Sequence, residues 1–379
     1  MIIGIDIRNI GKKRTGDEVV FFNLVKNLAE IDKNNEYRLF TDIKNKETLD
    51  KIEKDLGIEN INRFRVVPLK NANKFTWNFW TLQRYFRKKP ADVYLTQYIT
   101  PFFVPKKIKI ATIIHDVSFN SYLKYIKKVD LLFLKFLIPL SLKRADKIIG
   151  VSKFTYYEVM ECYGVSQEKM AWIHNAVADE YLSQNTDPER LKKIRAKYDL
   201  PEKFILYLGT LQPRKNLPTL VRAFSEIENK IGDMKLVLAG GKSHNYDRQI
   251  DRAVRQCDLE DKVICPGFIE EEDKAAVMKL ATIFCFPSFY EGFGIPILEA
   301  FAVGTPVVAS GILPHKEISG DAALFFDPND SHELAEKIIA VINDNNLRES
   351  LIQKGLEQVK NFSWKKTAEK MLGIFENMK

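Results

Sequence analysis

Apolar residues in this chain fall in short dense runs, separated by longer stretches where they recur at helical spacing. Ile2–Ile7, Tyr37–Thr41, Phe64–Leu69, Val93–Tyr98, Ile110–His115 and Asp146–Ser152 are runs rich in β-branched and aromatic residues, and they predict strands. Val19–Leu28 has the 3.6-residue period of a helix lying between the first two. Met170–Val177 reads as the last strand of this half. Asp179–Lys197 is then polar, charged and interrupted by Pro188, which predicts a linker holding a short helix. The pattern starts again at Phe204–Leu208, followed by a helix through Phe224. It continues with strands at Leu236–Ala239, Val263–Phe268, Thr282–Phe286 and Pro306–Ala309, and with helices at Ile295–Val303, His332–Asn343 and Phe362–Met378. Alternation in both halves predicts an α/β protein with two mainly parallel, helix-covered sheets. A length of 379 residues also fits two domains of roughly 150 residues or more. Ligands of such sheets gather at the carboxyl ends of the strands.

One stretch, Cys285–Gly304, places a buried strand, a glycine loop and a helix start in succession. Gly292 and Gly294 permit positive φ and close backbone approach, Pro296 suits a first helical turn, and Gly304 suits the residue beyond its end. The free N–H groups of such a helix point back over the loop, around Gly292, Phe293, Gly294 and Ile295, and outline an anion site. Glu291 and Glu299 stand eight positions apart on either side of it. Carboxylates repel phosphate but accept bonds from sugar hydroxyls, so a ligand carrying both groups explains the pattern better than bare phosphate. From spacing alone, an ordinary strand-loop-helix with two solvated acids stays open.

The string E-G-F-G-I-P-I-L-E-A over 291–300, followed by G-T-P-V-V-A-S over 304–310, resembles the donor-site signature of the retaining glycosyltransferases of family 4, with mannosyltransferase-like members nearest in overall pattern. A second match is G-T-L-Q-P-R-K-N from Gly209 to Asn216, which resembles the family's donor-phosphate loop. Arg214 brings a planar fork and Lys215 a compact charge, a combination suited to a diphosphate. The resemblance implies the GT-B fold, in which two doubly wound Rossmann-like domains face each other across a cleft. It implies an acceptor-side domain over 1–178, a nucleotide-sugar domain over 179–361, and a helix over 362–379 crossing back to the first. It also implies transfer of a hexose, mannose as first choice, from a nucleotide diphosphate sugar such as GDP-mannose to a saccharide or lipid-linked hydroxyl. The leaving diphosphate would be stabilised electrostatically by Arg214, Lys215 and the loop. Glu299 is implied at the ribose, Glu291 at a sugar hydroxyl, and Phe268 and Ile269 at the base. His115 is implied near the transferred sugar, Asp116 on the acceptor side, and Gly16 with Arg14, Thr15 and Asp17 in the first loop. Glu18 and Ala176 stand where the family usually has glycine.

Composition adds limits. An excess of 58 Lys and Arg over 50 Asp and Glu, a net charge of +8, favours anionic partners without choosing among phosphorylated molecules, lipid surfaces and nucleic acid. Phe75–Leu82 with Arg84, Arg87, Lys88 and Lys89 is either a basic aromatic surface or a helix that buries one face, and the second reading is favoured. Residues 122–144 pose the same choice between an interior helix kinked at Pro139 and a lipid-facing surface. Four scattered cysteines and a start that lacks a secretory apolar core predict a reduced, cytoplasmic setting, at the inner membrane face if 122–144 meets lipid. No D-x-D triplet and no zinc spacing occur, so neither metal nor cofactor is expected. Two other classes stay open: a sugar-nucleotide epimerase of the same fold, and a basic nucleic-acid-binding protein.

Overall fold

A computed structural model describes residues 1–12, 16–70, 76–120, 128–183, 187–242 and 245–379, with backbone only for 128–133. Arg14, Thr15, Phe75 and the stretch 121–127 lie outside the described residues. The chain divides into two compact units, one made of Met1–Asn175 with Ser363–Lys379, the other of Ala176–Phe362.

In the first unit seven strands are described: β1 (Ile2–Asp6), β2 (Glu36–Thr41), β3 (Phe64–Pro68), β4 (Val93–Gln97), β5 (Lys109–Ile114), β6 (Lys147–Gly150) and β7 (Met170–Trp172). They form one parallel sheet in the order β3-β2-β1-β4-β5-β6-β7. Burial on both faces explains why these runs are apolar throughout, with Ile3, Ile5, Val93, Leu95, Ile110 and Ile113 fully enclosed. Strand order reverses between β1 and β4, where doubly wound sheets open a crevice at their carboxyl ends. The first helix, Gly16–Ile31, begins earlier than its apolar period suggests, and Asp17 and Glu18 in its first turn suit the positive end of the helix dipole. Glu18, buried, also accepts from the Gly11 N–H at 3.0 Å, a loop-bracing role that a glycine cannot fill. The last strand is shorter than the run 170–177 predicts. The C-terminal helix Trp364–Glu376 packs against Gly16–Ile31, and the Thr367 hydroxyl donates to the His174 carbonyl at 2.7 Å.

The aromatic stretch divides in a way its spacing conceals. Residues Trp77–Thr81 form a π-helical turn before the helix Leu82–Lys88. The wider turn rotates Trp80 away from Trp77. Trp77 is fully buried, with the Arg8 guanidinium 4.5 Å over its ring, whereas Trp80 is 70% exposed.

In the second unit the strands β8 (Phe204–Leu208), β9 (Lys235–Ala239), β10 (Val263–Gly267), β11 (Ile283–Phe286), β12 (Val307–Ser310) and β13 (Ala323–Phe326) form a parallel sheet in the order β10-β9-β8-β11-β12-β13. The reversal here lies between β8 and β11. The loops that follow these two strands carry the two strings singled out above. The carboxyl ends of β8, β9 and β10 are stitched by Gly209 N–H to Ala239 carbonyl at 3.0 Å and Gly240 N–H to Gly267 carbonyl at 2.8 Å. A side chain at Gly240 would sit 2.0 Å from the Gly209 carbonyl oxygen, so only glycine fits there.

Candidate functional site

The loop after β8 turns through a single 3-10 turn, Pro213–Lys215, into the helix Leu217–Ile227. Asn216 between them takes the left-handed conformation, φ 57°, which Asn tolerates better than most residues. Its side-chain amide donates to the Pro287 carbonyl at 3.1 Å and the Pro328 carbonyl at 2.7 Å, and its oxygen accepts from Thr219 at 2.7 Å. The β8 loop is thereby fixed to the loop after β11. Phe289 N–H reinforces this by donating to the Arg214 carbonyl at 2.9 Å.

Arg214 and Lys215 then converge on Glu291. Arg214 Nη1 donates to Glu291 Oε2 and to the Tyr290 carbonyl, both at 3.0 Å, and Lys215 Nζ makes a short ion pair with Glu291 Oε1. Burial by itself would raise the Glu291 carboxyl, but the Lys215 and Arg214 charges outweigh it and hold the group well below the usual carboxylate range. Lys215 Nζ also lies 5.1 Å over the Phe286 ring. Three residues beyond Glu291, Gly294 caps the helix Ile295–Ala302 with φ 123° and no side chain to bond its first N–H groups. Among the described residues, the Gly294 and Ile295 N–H groups have no acceptor within the protein. Two cations set against one carboxylate leave a net positive charge beside two open N–H groups at a helix N-terminus, a corner that attracts anions.

Glu299 is also buried, one turn along the same helix. Burial first, and then Glu271, push its carboxyl up to about 7, against the lowering effects of Lys274 and of the Tyr181 hydroxyl from the helix Asp179–Leu182. One loop therefore carries two acids of opposite character, one locked as carboxylate and one poised to titrate near neutrality. At the edge of the sheet, Ile269 is buried and Phe268 presents its ring 57% exposed.

On the first unit, His115 follows β5, and its Nε2 lies 2.9 Å from Gln97 Oε1, so this nitrogen carries the proton. Its Nδ1 is 3.9 Å from Asp17 Oδ1. Tyr98, after β4, lies 5.7 Å from the His115 ring with φ 53°, a rare conformation for a bulky residue. Asp116 accepts from the Ser118 N–H at 3.0 Å and hydroxyl at 2.8 Å, which shapes the turn Ser118–Asn120. Gly16 begins the first helix, and nothing lies within 4 Å of where its side chain would be. Gln97, Tyr98 and Tyr181 escape sequence reasoning because each meets its neighbours only through the fold, whereas Asp17 belongs to the first loop that the resemblance singles out. A polar residue closing an otherwise apolar strand is the one signal that points to Gln97.

Residues 14–181 match the family described as Glycosyltransferase Family 4, and residues 190–358 match Glycosyl transferases group 1. O-antigen chain mannosyltransferase B of Escherichia coli is 30% identical over 282 residues, covering 73% of this chain and 72% of that protein. The chain belongs to glycosyltransferase family 4. Within the family it is mannosyltransferase-like. Serotype-specific mannosyltransferase WbdA of Escherichia coli is 30% identical over 230 residues, which span 60% of this chain and 28% of that longer protein. Mannosylfructose-phosphate synthase of Agrobacterium fabrum is 28% identical, over 62% of this chain and 53% of that one. Among solved structures, a glycosyltransferase from Rickettsia africae superposes with a TM-score of 0.76 at 20% identity, covering 100% of this chain and 98% of that one. Anabaena Alr3699/HepE, solved with UDP-glucose, gives 0.75 at 16% identity over the whole of both chains. With two parallel-sheet α/β units, these likenesses establish the GT-B fold. The chain is a glycosyltransferase of glycan synthesis.

Proposed function

We propose that this glycosyltransferase moves mannose from GDP-mannose to a hydroxyl of a saccharide or lipid-linked acceptor, with retention of configuration and without a metal ion. The observation that carries the donor site is the convergence of Arg214, Lys215 and Glu291 beside the open N–H groups of Gly294 and Ile295. Mannose is supported by the relatives named as mannosyltransferases, and GDP follows as the usual carrier of that sugar.

Chemically, the bond between C1 and the β-phosphate oxygen breaks while the acceptor oxygen bonds C1 on the same face. The acceptor's proton passes to the leaving phosphate oxygen, which accounts for retention without an enzyme carboxylate at the anomeric carbon. Charge grows on the diphosphate during this step. Arg214, Lys215 and the loop from Gly292 through Phe293 and Gly294 to Ile295 are preorganised to meet it. Gly209 lets the diphosphate approach the backbone, Glu299 accepts from the ribose, and Phe268 with Ile269 flanks the base. Glu291, always ionised, keeps both cations in place and accepts from a sugar hydroxyl. His115 positions the transferred sugar, Asp116 serves the acceptor side through its turn, and Gly16 permits close approach at the first loop.

Transfer from GDP-mannose to a panel of mannosides, run with a chelator, tests this reading. An α-linked product is expected, because the donor is α-linked. A β-linked product overturns retention, transfer only from UDP-sugars overturns the donor, and an isomerised sugar nucleotide formed without acceptor supports an epimerase instead.

A lipid-linked acceptor is favoured by one further observation. Trp80 and Phe103 are 70% and 58% exposed, and their sequence neighbours Phe79 and Phe102 stack on each other at 5.4 Å. Exposed Arg84, Arg87, Lys106 and Lys107 belong to the same two segments. Exposed aromatics with a basic surround suit an anionic membrane surface. Among the described residues no helix is long and apolar enough to cross a bilayer. Co-flotation with vesicles containing anionic lipid, lost with neutral vesicles and in Trp80→Ser/Phe103→Ser, is the expected result. Equal recovery with both vesicle types contradicts it.

A further inference from the structure

Beneath the donor loop lies a histidine that none of the roles above uses. His315, in the helix Leu313–Ser319, is fully buried. Its Nδ1 lies 2.9 Å from the Ser310 carbonyl oxygen, which can only accept, so Nδ1 carries the proton in the neutral ring. The Ser310 hydroxyl, 3.2 Å away, is committed to the Ser288 carbonyl at 2.5 Å. One edge of the imidazole is thereby anchored to the carboxyl ends of β11 and β12. The opposite edge faces the glycine loop: Cδ2, bonded to Nε2, is 3.4 Å from where a side chain at Gly294 would be. Nε2 itself is buried and has no hydrogen-bond partner among the described residues.

An orphaned lone pair in a buried place is costly unless something uses it. The charged groups around the ring are few. Glu291, from the loop after β11, favours its protonation, and Lys215, from the turn after β8, opposes it. Phe286 covers one side at 5.2 Å between ring centroids. Burial is the largest influence and pushes the imidazole down to about 4, so the ring is neutral at pH 7. A diphosphate at Gly294 and Ile295 reverses that balance, because it brings at least two negative charges to the loop against which the bare edge lies.

We propose that His315 is a positioning residue coupling donor binding to proton uptake, its buried Nε2 gaining a proton when a nucleoside-diphosphate group occupies the loop of Gly292–Ile295. The inference rests on the donor-site reading and adds a regulation to it. The imidazolium then lies under the diphosphate as a third positive group, without touching substrate. By reciprocity, whatever bound diphosphate does for the proton, the proton does for diphosphate affinity.

The direct test is 15N NMR of histidine-labelled full-length protein at pH 6, titrated with GDP-mannose and with UDP-glucose while melting temperature reports binding. His315 is assigned by its loss in His315→Gln, or, should that variant not fold, by elimination with single substitutions of the other four histidines. The expected result is that Nε2 of His315 moves from the unprotonated to the protonated position as the sugar nucleotide saturates. His315→Asn keeps a donor for Ser310 but lacks Nε2. It is expected to weaken binding about tenfold at pH 6 and several-fold less at pH 7, because the proton taken up on binding is scarcer at the higher pH. An Nε2 signal that stays unprotonated at saturation, or a loss in His315→Asn equal at both pH values, overturns the inference while the donor site stands. Absence of binding by either sugar nucleotide overturns the donor site, and this inference with it.

Discussion

Lys215 and Glu291, 76 positions apart, form a buried ion pair at the point where the strand order of the second sheet reverses. Each side chain is about one-tenth exposed, whereas Arg214, the second partner of Glu291, is one-quarter exposed. Breaking a buried pair from one side strands a charge, at a cost of about 3–5 kcal/mol. Lys215→Ala leaves Glu291 with Arg214 alone and is therefore expected to lower stability by at most about that much in denaturant titration, and Arg214→Ala by less. The paired change Lys215→Met/Glu291→Gln removes both charges and is expected to recover most of the stability without recovering transfer. Recovery of transfer would show that the pair only supports the fold.

Glu299 gives a pH dependence of defined sign. Its carboxyl titrates near 7 in the folded protein and near 4.5 when unfolded. Between those values the folded state holds a proton that the unfolded state has released. Stability contributed by this group is thus present at low pH and is lost as pH rises through 7, by about 3 kcal/mol in all. Glu299→Gln is expected to melt at a higher temperature than the wild type at pH 8 and at a similar one at pH 5. With Glu299 as the proposed acceptor of the ribose, the same change is expected to weaken sugar-nucleotide binding. A variant that binds donor as well as the wild type would remove Glu299 from the site.

The role proposed for His115 separates donor binding from transfer. His115 and Gln97 belong to the first unit, and the donor-phosphate cluster belongs to the second. His115→Ala is expected to lower kcat about 10- to 100-fold while changing nucleotide affinity less than about twofold. Gln97→Leu removes only the partner of Nε2, so a smaller loss is expected. Loss of nucleotide affinity in either variant would contradict a role confined to the sugar.

Sequence legibility followed the range of the interactions. The Glu291–Ala300 string was readable because strand end, glycine cap, Pro296 and helix are consecutive and each follows local rules. Strand runs buried on both faces were equally plain. Which of Trp77 and Trp80 is buried was not legible, since a π-turn at Trp77–Thr81 changes the angle between neighbours and no composition announces it. β13 was overlooked although Ala323–Phe326 is wholly apolar, whereas the helix Asn345–Val359 escaped notice because its apolar residues are sparse and its burial comes from packing on the helix Ile295–Ala302. Tyr181 sat in a segment that reads as linker, and Glu299, the carboxylate that acts on it most strongly, lies more than a hundred residues on. His315 looked like one polar residue among Pro314, Lys316 and Glu317; only the fold sets it under Gly294.

The central claim is that the Arg214, Lys215 and Glu291 cluster with the glycine-capped helix binds a nucleotide diphosphate sugar. A thermal-shift series with GDP-, UDP-, ADP- and dTDP-sugars, run with a chelator on the wild type and on Glu299→Ala, tests it most directly. A ligand at 100 times its Kd stabilises the folded state by about 2.7 kcal/mol, enough for a clear rise in Tm. Such a rise is expected with one nucleotide class, GDP first, and a smaller one in the variant. A cooperative melt unmoved by every sugar nucleotide, with mannoside acceptors present as well as absent, would contradict it.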